Sequence, residues 1–364
     1  MSLRCGIVGL PNVGKSTLFN ALSNAGAESA NFPFCTIDPN VGQVAVPDLR
    51  LLNLAELAQS ASVVPTSIEF VDIAGLVKGA AEGKGKGNAF LSHIREVDLI
   101  LHVVRCFEDD DIIHVEGDVD PERDIAIIES ELILKDLESV EKRVSNLHKQ
   151  AKSGDKTFKA QFEVVDRLRE HLENGNTARN FEATDDQKLV YRDLFLLSEK
   201  PVLYACNVGE NDLESGTKLV EVVKKVASIF GDEVVMFCAK IEAEIAELED
   251  EEKEMFLEEL GVSSAGIDRL IHAAYAELGL ITYFTVGPKE ARAWTIKKGT
   301  KAPQAAGVIH TDFERGFIRA ETIAYNDYDK LKTEKAAKEA GKMRQEGKEY
   351  VVVDGDVLLF RFNV

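Results

Sequence analysis

Positive charge is what this 364-residue chain has least of: 43 Lys and Arg stand against 63 Asp and Glu, a formal net charge of −20. That balance repels phosphate backbones and anionic lipid, and so argues against broad, non-specific binding to nucleic acid or anionic membrane. The deficit is uneven. Residues 281–364 carry 15 Lys/Arg against 12 Asp/Glu, which makes the last quarter of the chain the part least repelled by RNA. No apolar run approaches the ~20 residues a membrane-spanning helix needs. Cysteine is sparse and unpatterned: Cys5, Cys35, Cys106, Cys206 and Cys238 are odd in number and never spaced C-x-x-C. They form no disulfide framework, and the apolar runs around Cys5, Cys106 and Cys206 suit small buried residues in a reducing compartment. The opening "MSLRCGIVGLP" runs straight into a strand and reads as no signal peptide. The expectation is a cytoplasmic protein.

What is present is an alternation. Short Val/Ile-rich runs, "CGIVGL" (5–10), "GQVAVP" (42–47), "SIEFVDIAG" (67–75), "DLILHVVRC" (98–106), "PVLYACN" (201–207) and "EVVMFCAK" (233–240), are separated by helical stretches. This pattern predicts an α/β fold with a mainly parallel sheet and helices on both faces. Between the fourth and fifth runs, Ile133, Leu137, Val140, Val144, Leu147 and Ala151 repeat at spacings of four and three. After the turn "KSGDK", Phe158, Phe162, Val165, Leu168 and Leu172 do the same, which predicts an inserted antiparallel helical hairpin. Such an arm is either an inert elaboration or a protein-binding element. Residues 242–260 read as an acidic amphipathic helix or helix pair with a solvated face. The expected division is a first domain over 1–120 plus 200–280, the arm over 121–199, and a small mixed domain over 281–364. In that last domain "ITYFTV", "EARAWTI" and "VLLFRFNV" are the expected strands, and a Lys/Glu-rich helix is expected around 329–346.

"GLPNVGKST" (9–17) fits G-x-x-x-x-G-K-[ST] between a strand and a helix. Such a loop turns its N–H groups toward phosphate, and the helix dipole adds to the attraction. Lys15 would reach the β- and γ-phosphates, Ser16 would ligate Mg²⁺, and Thr17 would contact the α-phosphate region. Asp72, ending the run "EFVD", is placed to hold Mg²⁺ through water, and Gly75 completes D-x-x-G, whose N–H can sense the γ-phosphate. Thr36, in "NFPFCTIDPN", can close over the same metal and release it after hydrolysis. Asn12 either helps ligate a monovalent cation such as K⁺ or braces the loop.

Two polar residues are missing from this set. Leu76 stands where Ras-like enzymes place the glutamine that orients water. Slow intrinsic hydrolysis is therefore expected, with Lys78, Lys84 and Lys86 near the phosphates and His114 as a candidate for positioning water; a surface loop histidine without catalytic duty is the alternative. The base-reading Asn-Lys-x-Asp is also absent, and Asn207-Val208-Gly209-Glu210 stands in its place. A guanine reader needs a carboxylate at one distance from N1–H and the 2-amino group. Glu210 is a methylene longer, Val208 lacks the lysine stem, and Asn207 can still approach N7. Cys238 and Ala239 of "CAK" would line the far side of the base. A relaxed guanine site with Asp212 swinging in remains the alternative to adenine.

Taken together, "GLPNVGKST", "NFPFCTIDPN", "FVDIAGLVKGA", "NVGE", "HTDFERGFIRAETI" and "DGDVLLFRFNV" strongly resemble the YchF family, the Obg-related branch of P-loop NTPases whose eukaryotic relatives are the Obg-like ATPases. The resemblance covers essentially the whole chain. It implies a G domain, a coiled-coil arm and a C-terminal TGS module of β-grasp fold. It also implies Mg²⁺-dependent hydrolysis of ATP to ADP and association with the ribosome through its large subunit. The family's metal ligands carry over to Ser16 and Thr36, and its phosphate loop to Asn12, Val13, Gly14, Lys15, Ser16 and Thr17. The resemblance favours ATP over GTP.

Overall fold

The six apolar runs become one sheet. The computed structural model describes residues 3–28, 41–73, 95–152, 155–248, 250–262 and 264–363. Thr36, Gly75, Leu76, Lys78, Lys84, Lys86 and Cys35, all named above, lie outside the described residues. Strands β1 (Arg4–Val8), β2 (Val41–Ala45), β4 (Ser67–Asp72), β5 (Leu99–Arg105), β6 (Val202–Asn207) and β7 (Val234–Phe237) take the order β2-β4-β1-β5-β6-β7. Pairings of β1 with β4 and β5, of β5 with β6, and of β6 with β7 are parallel. All seven residues of β5 are buried, as a strand covered on both faces requires. Cys5, Cys106 and Cys206 are buried free thiols, as their apolar surroundings suggested, and Cys238 is buried as well.

By packing, the chain divides into two units. The first comprises residues up to 44 and 69–270, and the second comprises 45–68 and 271–364. In the first, α1 (Lys15–Glu28) follows β1 directly. The insertion is the expected hairpin, α3 (Pro121–Ala151) and α4 (Lys156–Glu173). Asp120 caps α3 by accepting from the Arg123 N–H, and Pro121 sits in the first turn, where its missing N–H costs nothing. Ile133, Val140 and Leu147 of α3 meet Val165, Leu168 and Leu172 of α4 in one apolar core. The chain after α4 returns to that core with Ala178, Phe181, Tyr191 and Leu196. A short helix, α5 (Asp185–Lys188), lies within this return and is opened by a Thr184–Gln187 capping box.

The acidic segment is a pair, α7 (Ala239–Ile245) and α8 (Asp250–Glu259), preceded by α6 (Lys218–Ser228) and followed by α9 (Gly266–Glu277). Its expected solvated face is corrected at Glu242. That carboxylate is buried and accepts from Gly266 N–H at 2.7 Å and Ile267 N–H at 3.2 Å, capping the start of α9.

The second unit is built on a mixed sheet in the order β11-β10-β12-β8-β9-β3, comprising β3 (Val63–Val64), β8 (Leu280–Val286), β9 (Ala291–Lys297), β10 (Phe317–Ala324), β11 (Arg344–Glu346) and β12 (Asp356–Phe362). It is larger than the C-terminal module read from sequence. Helix α2 (Leu49–Ala58) lays Leu51 and Leu54 against Phe284, Ile323 and Tyr328, and β3 pairs in parallel with β9. The other face packs Tyr283, Ile296 and Phe360 against Ala302, Ala305 and Ala306 of α10 (Ala302–Ile309), which α11 (Thr311–Arg315) follows. The helix expected around 329–346 is instead α12 (Tyr325–Leu331), α13 (Glu334–Glu339) and strand β11. Lys332 has positive φ between the two helices, which ends the first.

Candidate nucleotide site

The sequence places its phosphate-binding residues at the carboxyl ends of the parallel strands, where open α/β sheets bind ligands. The loop from β1 to α1 curls because two glycines take conformations a side chain would forbid. Gly9 has φ +152°, and a Cβ there would lie 2.4 Å from the Val103 carbonyl oxygen; Gly14 has φ +100°, and a Cβ there would lie 2.4 Å from Asn207 Nδ2. Between them Asn12 adopts φ 62° and donates from Nδ2 to the Ile113 carbonyl at 3.1 Å. This is the bracing role read from the sequence; its Oδ1 is the atom a monovalent cation would use.

Lys15 Nζ donates to the Leu10 carbonyl at 2.7 Å, folding the ammonium over the loop. Burial lowers its pKa below the ordinary lysine range, while the charge of Asp72 pulls it back up. For Asp72, burial raises the pKa and Lys15 opposes the shift. Register explains the encounter: Ile7 of β1 lies opposite Asp72 of β4, two residues before the glycine that opens the loop. Asp72 Oδ1 is buried with no hydrogen-bond partner among the described residues. An orphaned carboxylate oxygen facing a half-buried lysine, with the exposed Ser16 hydroxyl at the start of α1, is a donor set that fits Mg²⁺. Ser16 and Asp72 would hold the ion together with phosphate oxygens and water. Thr36 and Gly75 belong to the same expectation but lie outside the described residues.

Beside the loop opens a pocket of about 860 Å³. Asn207 organises it. Its Nδ2 donates to the Val13 carbonyl at 3.0 Å and its Oδ1 accepts from the Ala239 N–H at 3.0 Å. One buried amide therefore ties the phosphate loop to the segment that walls the pocket. Val208, Cys238 and Ala239 line the pocket as the sequence suggested, and Thr17 and Asn12 border it. Glu210 opens the turn Glu210–Asp212, and its carboxylate forms an ion pair with Lys240. Asp212 folds back toward the same turn: a Cβ on Gly209 would meet its Oδ2 at 3.0 Å.

Sequence reasoning missed one wall. Phe107, Asp109 and Ile112 also line the pocket, and Arg105 holds them there. This guanidinium is 2% exposed. It donates to the carbonyls of Phe107 at 3.1 Å, Asp109 at 3.1 Å and Ile112 at 2.8 Å, and it sits over the Phe107 ring at 4.6 Å. Only its position, at the carboxyl end of β5, could have pointed to it.

His114 lies in the same loop but faces inward. Its Nε2 donates to Asp124 Oδ2 at 2.9 Å and its Nδ1 accepts from the Glu116 N–H at 3.2 Å; ring and carboxylate are both buried. With both nitrogens used, this geometry supports the alternative to water positioning, although as a buried anchor between the loop and α3 and not a surface side chain.

The comparisons with known proteins agree with this architecture. A family profile described as "50S ribosome-binding GTPase" matches residues 4–141. A second, the YchF-GTPase C-terminal family, described as "Protein of unknown function (DUF933)", matches residues 280–363. The chain is 59% identical to the "Ribosome-binding ATPase YchF" of Bacillus subtilis over 366 residues, covering 100% of both chains. It is 47% identical to "Obg-like ATPase 1" of Pongo abelii, covering 100% of this chain and 93% of that one. The solved "Schizosaccharomyces pombe YchF GTPase" superposes with a TM-score of 0.88 at 42% identity, covering 99% and 98% of the two chains. Both labels, ATPase and GTPase, occur among these relatives, so base choice has to be argued from the pocket. Full-length identity, the phosphate loop and the matching fold make this chain a member of the YchF and Obg-like ATPase family of P-loop nucleoside triphosphatases.

Proposed function

We propose that the protein is a cytoplasmic, Mg²⁺-dependent ATPase switch that associates with the ribosome; ribosome binding and ATPase activity are what the names of its relatives state for them. The observation that carries the choice of ATP is the Glu210–Lys240 pair. The one carboxylate at the base-reading position is a methylene too long for guanine and is already engaged by an ammonium. Guanine binding would have to break that pair to satisfy N1–H and the 2-amino group, whereas adenine asks for no acceptor there. Phe107, Val208 and Ala239 offer a base mainly apolar contact.

The chain's own residues do the rest. The N–H groups of residues 12–17 and the start of α1 hold the phosphates, and Lys15 neutralises the charge that develops on the γ-phosphoryl oxygens. Gly75 would report the γ-phosphate through its N–H. Ser16, Asp72 and Thr36 would hold Mg²⁺, which would supply charge neutralisation to the phosphates. His114 must leave Asp124 before its ring can reach water, so we assign it to holding the pocket loop. The first domain, the arm and the C-terminal β module then act as nucleotide switch, protein- or RNA-facing arm and second contact. The large ribosomal subunit is the expected platform.

ATP and GTP turnover measured with and without ribosomes tests this reading. Preferential ATP hydrolysis that ribosomes accelerate supports it. Equal or greater GTP hydrolysis would make the chain a GTPase of ribosome assembly. ATP bound tightly but turned over equally slowly with and without ribosomes would leave a regulator in which hydrolysis is incidental.

A further inference from the structure

The end of the helical arm reverses the sign of the molecule. Residues 144–162 contain Lys149, Lys152, Lys156 and Lys159 and a single acid, Asp155, in a chain of net charge −20. His148 of α3 stacks near Phe162 of α4, their ring centroids 5.5 Å apart, so these two residues mark one layer of the hairpin. All four lysines lie beyond that layer, at the last turn of α3 and the first of α4. All four are exposed, and none has an ion pair among the described residues. The lone acid is already used: Asp155 caps α4 by accepting from the Thr157 N–H at 2.8 Å.

Helix stability does not explain this charge. Cations suit the carboxyl end of α3, but the first turn of α4 faces the positive end of a helix dipole. That position favours Asp or Glu, and α4 has none there, carrying Lys156 and Lys159 instead. The cluster is thus kept against a local cost.

We propose that the arm tip is an RNA-docking surface that contacts the phosphate backbone of a ribosomal RNA helix. This inference rests on the ribosome association proposed above. Two features favour RNA over a protein partner. Protein interfaces are depleted in Lys and anchored by Trp, Tyr, Arg or large apolar side chains. The described tip offers no exposed large apolar residue: those of the arm, Leu134, Leu189 and Phe195, lie in the middle of α3 and in the return after α4. Lysines on flexible stems, without bidentate Arg geometry, suit sequence-independent contact with phosphates. Residues 1–280 carry 28 Lys/Arg against 51 Asp/Glu, so within that stretch the tip is a basic exception and contributes orientation as well as affinity.

The test uses the full chain with all four tip lysines changed to Glu. A control variant carries the same change at Lys330, Lys335, Lys338 and Lys348, which are exposed lysines of the second unit. Each is measured by fluorescence anisotropy against a labelled 20-base-pair RNA duplex between 50 and 200 mM KCl, and by cosedimentation with ribosomes. Circular dichroism checks that the arm stays helical. The expected result is that the tip variant binds the duplex at least about tenfold more weakly. Its slope of log K against log salt should fall by about 3 to 4, near 0.9 per phosphate contact, while the control changes little. A Lys→Gln set should lose less than the Glu set. Equal behaviour of tip and control variants, or no duplex binding by the wild type, overturns the proposal. Loss of cosedimentation with unchanged duplex binding also overturns it, in favour of a ribosomal protein partner. Failure of the wild type to cosediment sinks the ribosome reading instead, and the duplex arm then judges the tip by itself.

Discussion

Asn207 occupies the space that a methyl group on Gly14 would need, with Nδ2 2.4 Å from that position. The side chain ending β6 and the glycine before the phosphate-loop lysine are therefore complementary, although 193 residues separate them in the chain. Gly14→Ala should both strain the loop at φ +100° and displace the amide. Asn207→Ala removes the partners of the Val13 carbonyl and the Ala239 N–H, at roughly 1–3 kcal/mol for each buried group left unpaired. Both substitutions should weaken ATP binding at least about thirtyfold in a fluorescent-nucleotide titration. Wild-type affinity in either would mean that the loop holds its shape without the amide.

The Glu210–Lys240 pair gives a prediction about base choice. Lys240→Ala frees the carboxylate and removes one lining side chain, while Phe107, Val208, Cys238 and Ala239 stay in place. GTP affinity should rise relative to ATP by about three- to fivefold, the modest change expected from an exposed ion pair. Because Lys240 and Glu210 are both substantially exposed, high salt should produce part of the same shift in the wild type. An unchanged ATP/GTP ratio would assign discrimination to the length of Glu210 alone.

Asp72→Asn keeps the shape at the end of β4 but removes the charge facing Lys15. ATP hydrolysis should fall by about 100-fold or more, and half-maximal activity should need more Mg²⁺, while ATP binding without Mg²⁺ changes little. Chelation of Mg²⁺ should reduce wild-type turnover to the level of the variant. Full activity of Asp72→Asn would remove this carboxylate from the metal site.

His114 and Asp124 form a buried pair, so the two possible roles of the histidine separate in two variants. If the ring anchors the pocket loop, His114→Ala and Asp124→Ala should lower the melting temperature alike and depress kcat alike. If the ring serves water directly, Asp124→Ala, which keeps the imidazole, should retain hydrolysis that His114→Ala loses. The first outcome is expected from the geometry, since both ring nitrogens are engaged.

Asp136 carries a pH dependence. Burial pushes its pKa up to about 6, outweighing the three hydrogen bonds it accepts from Leu197 N–H, Ser198 N–H and Ser198 Oγ–H at 2.7, 2.8 and 2.6 Å. The folded protein thus holds this proton more tightly than the unfolded chain, whose aspartates titrate near ~3.9. Its contribution is fully present below that value and is lost as pH rises through about 6. Unfolding titrations should show wild-type stability falling by up to ~3 kcal/mol across that window relative to Asp136→Asn. Parallel curves for the two proteins would show that the hydrogen bonds offset burial.

Much of this was legible in the residues themselves. Strand runs, the a/d seam of the arm and the glycine-lysine loop are local patterns, written by side-chain period and by where a backbone must curl. That is why the parallel sheet, the hairpin and the position of Lys15 and Ser16 could be read before any contact was known. The acidic pair α7–α8 could be read as helical, but not the burial of Glu242, because its partners are the N–H groups of a helix 24 residues further on. Residues 45–68 looked like part of the first domain by sequence order, yet α2 finds its apolar partners on β8 and β10.

The amino-acid sequence alone determined that this protein binds a nucleoside triphosphate and that its base-reading element departs from a guanine reader, since a short motif carries its chemistry in the identity of adjacent side chains. Only the tertiary structure decided where the Glu210 carboxylate goes, which loop Arg105 holds beside the pocket, and which way His114 turns. Each of those is settled by a partner elsewhere in the fold, and a charge or a ring nitrogen takes whichever partner burial and distance make cheapest.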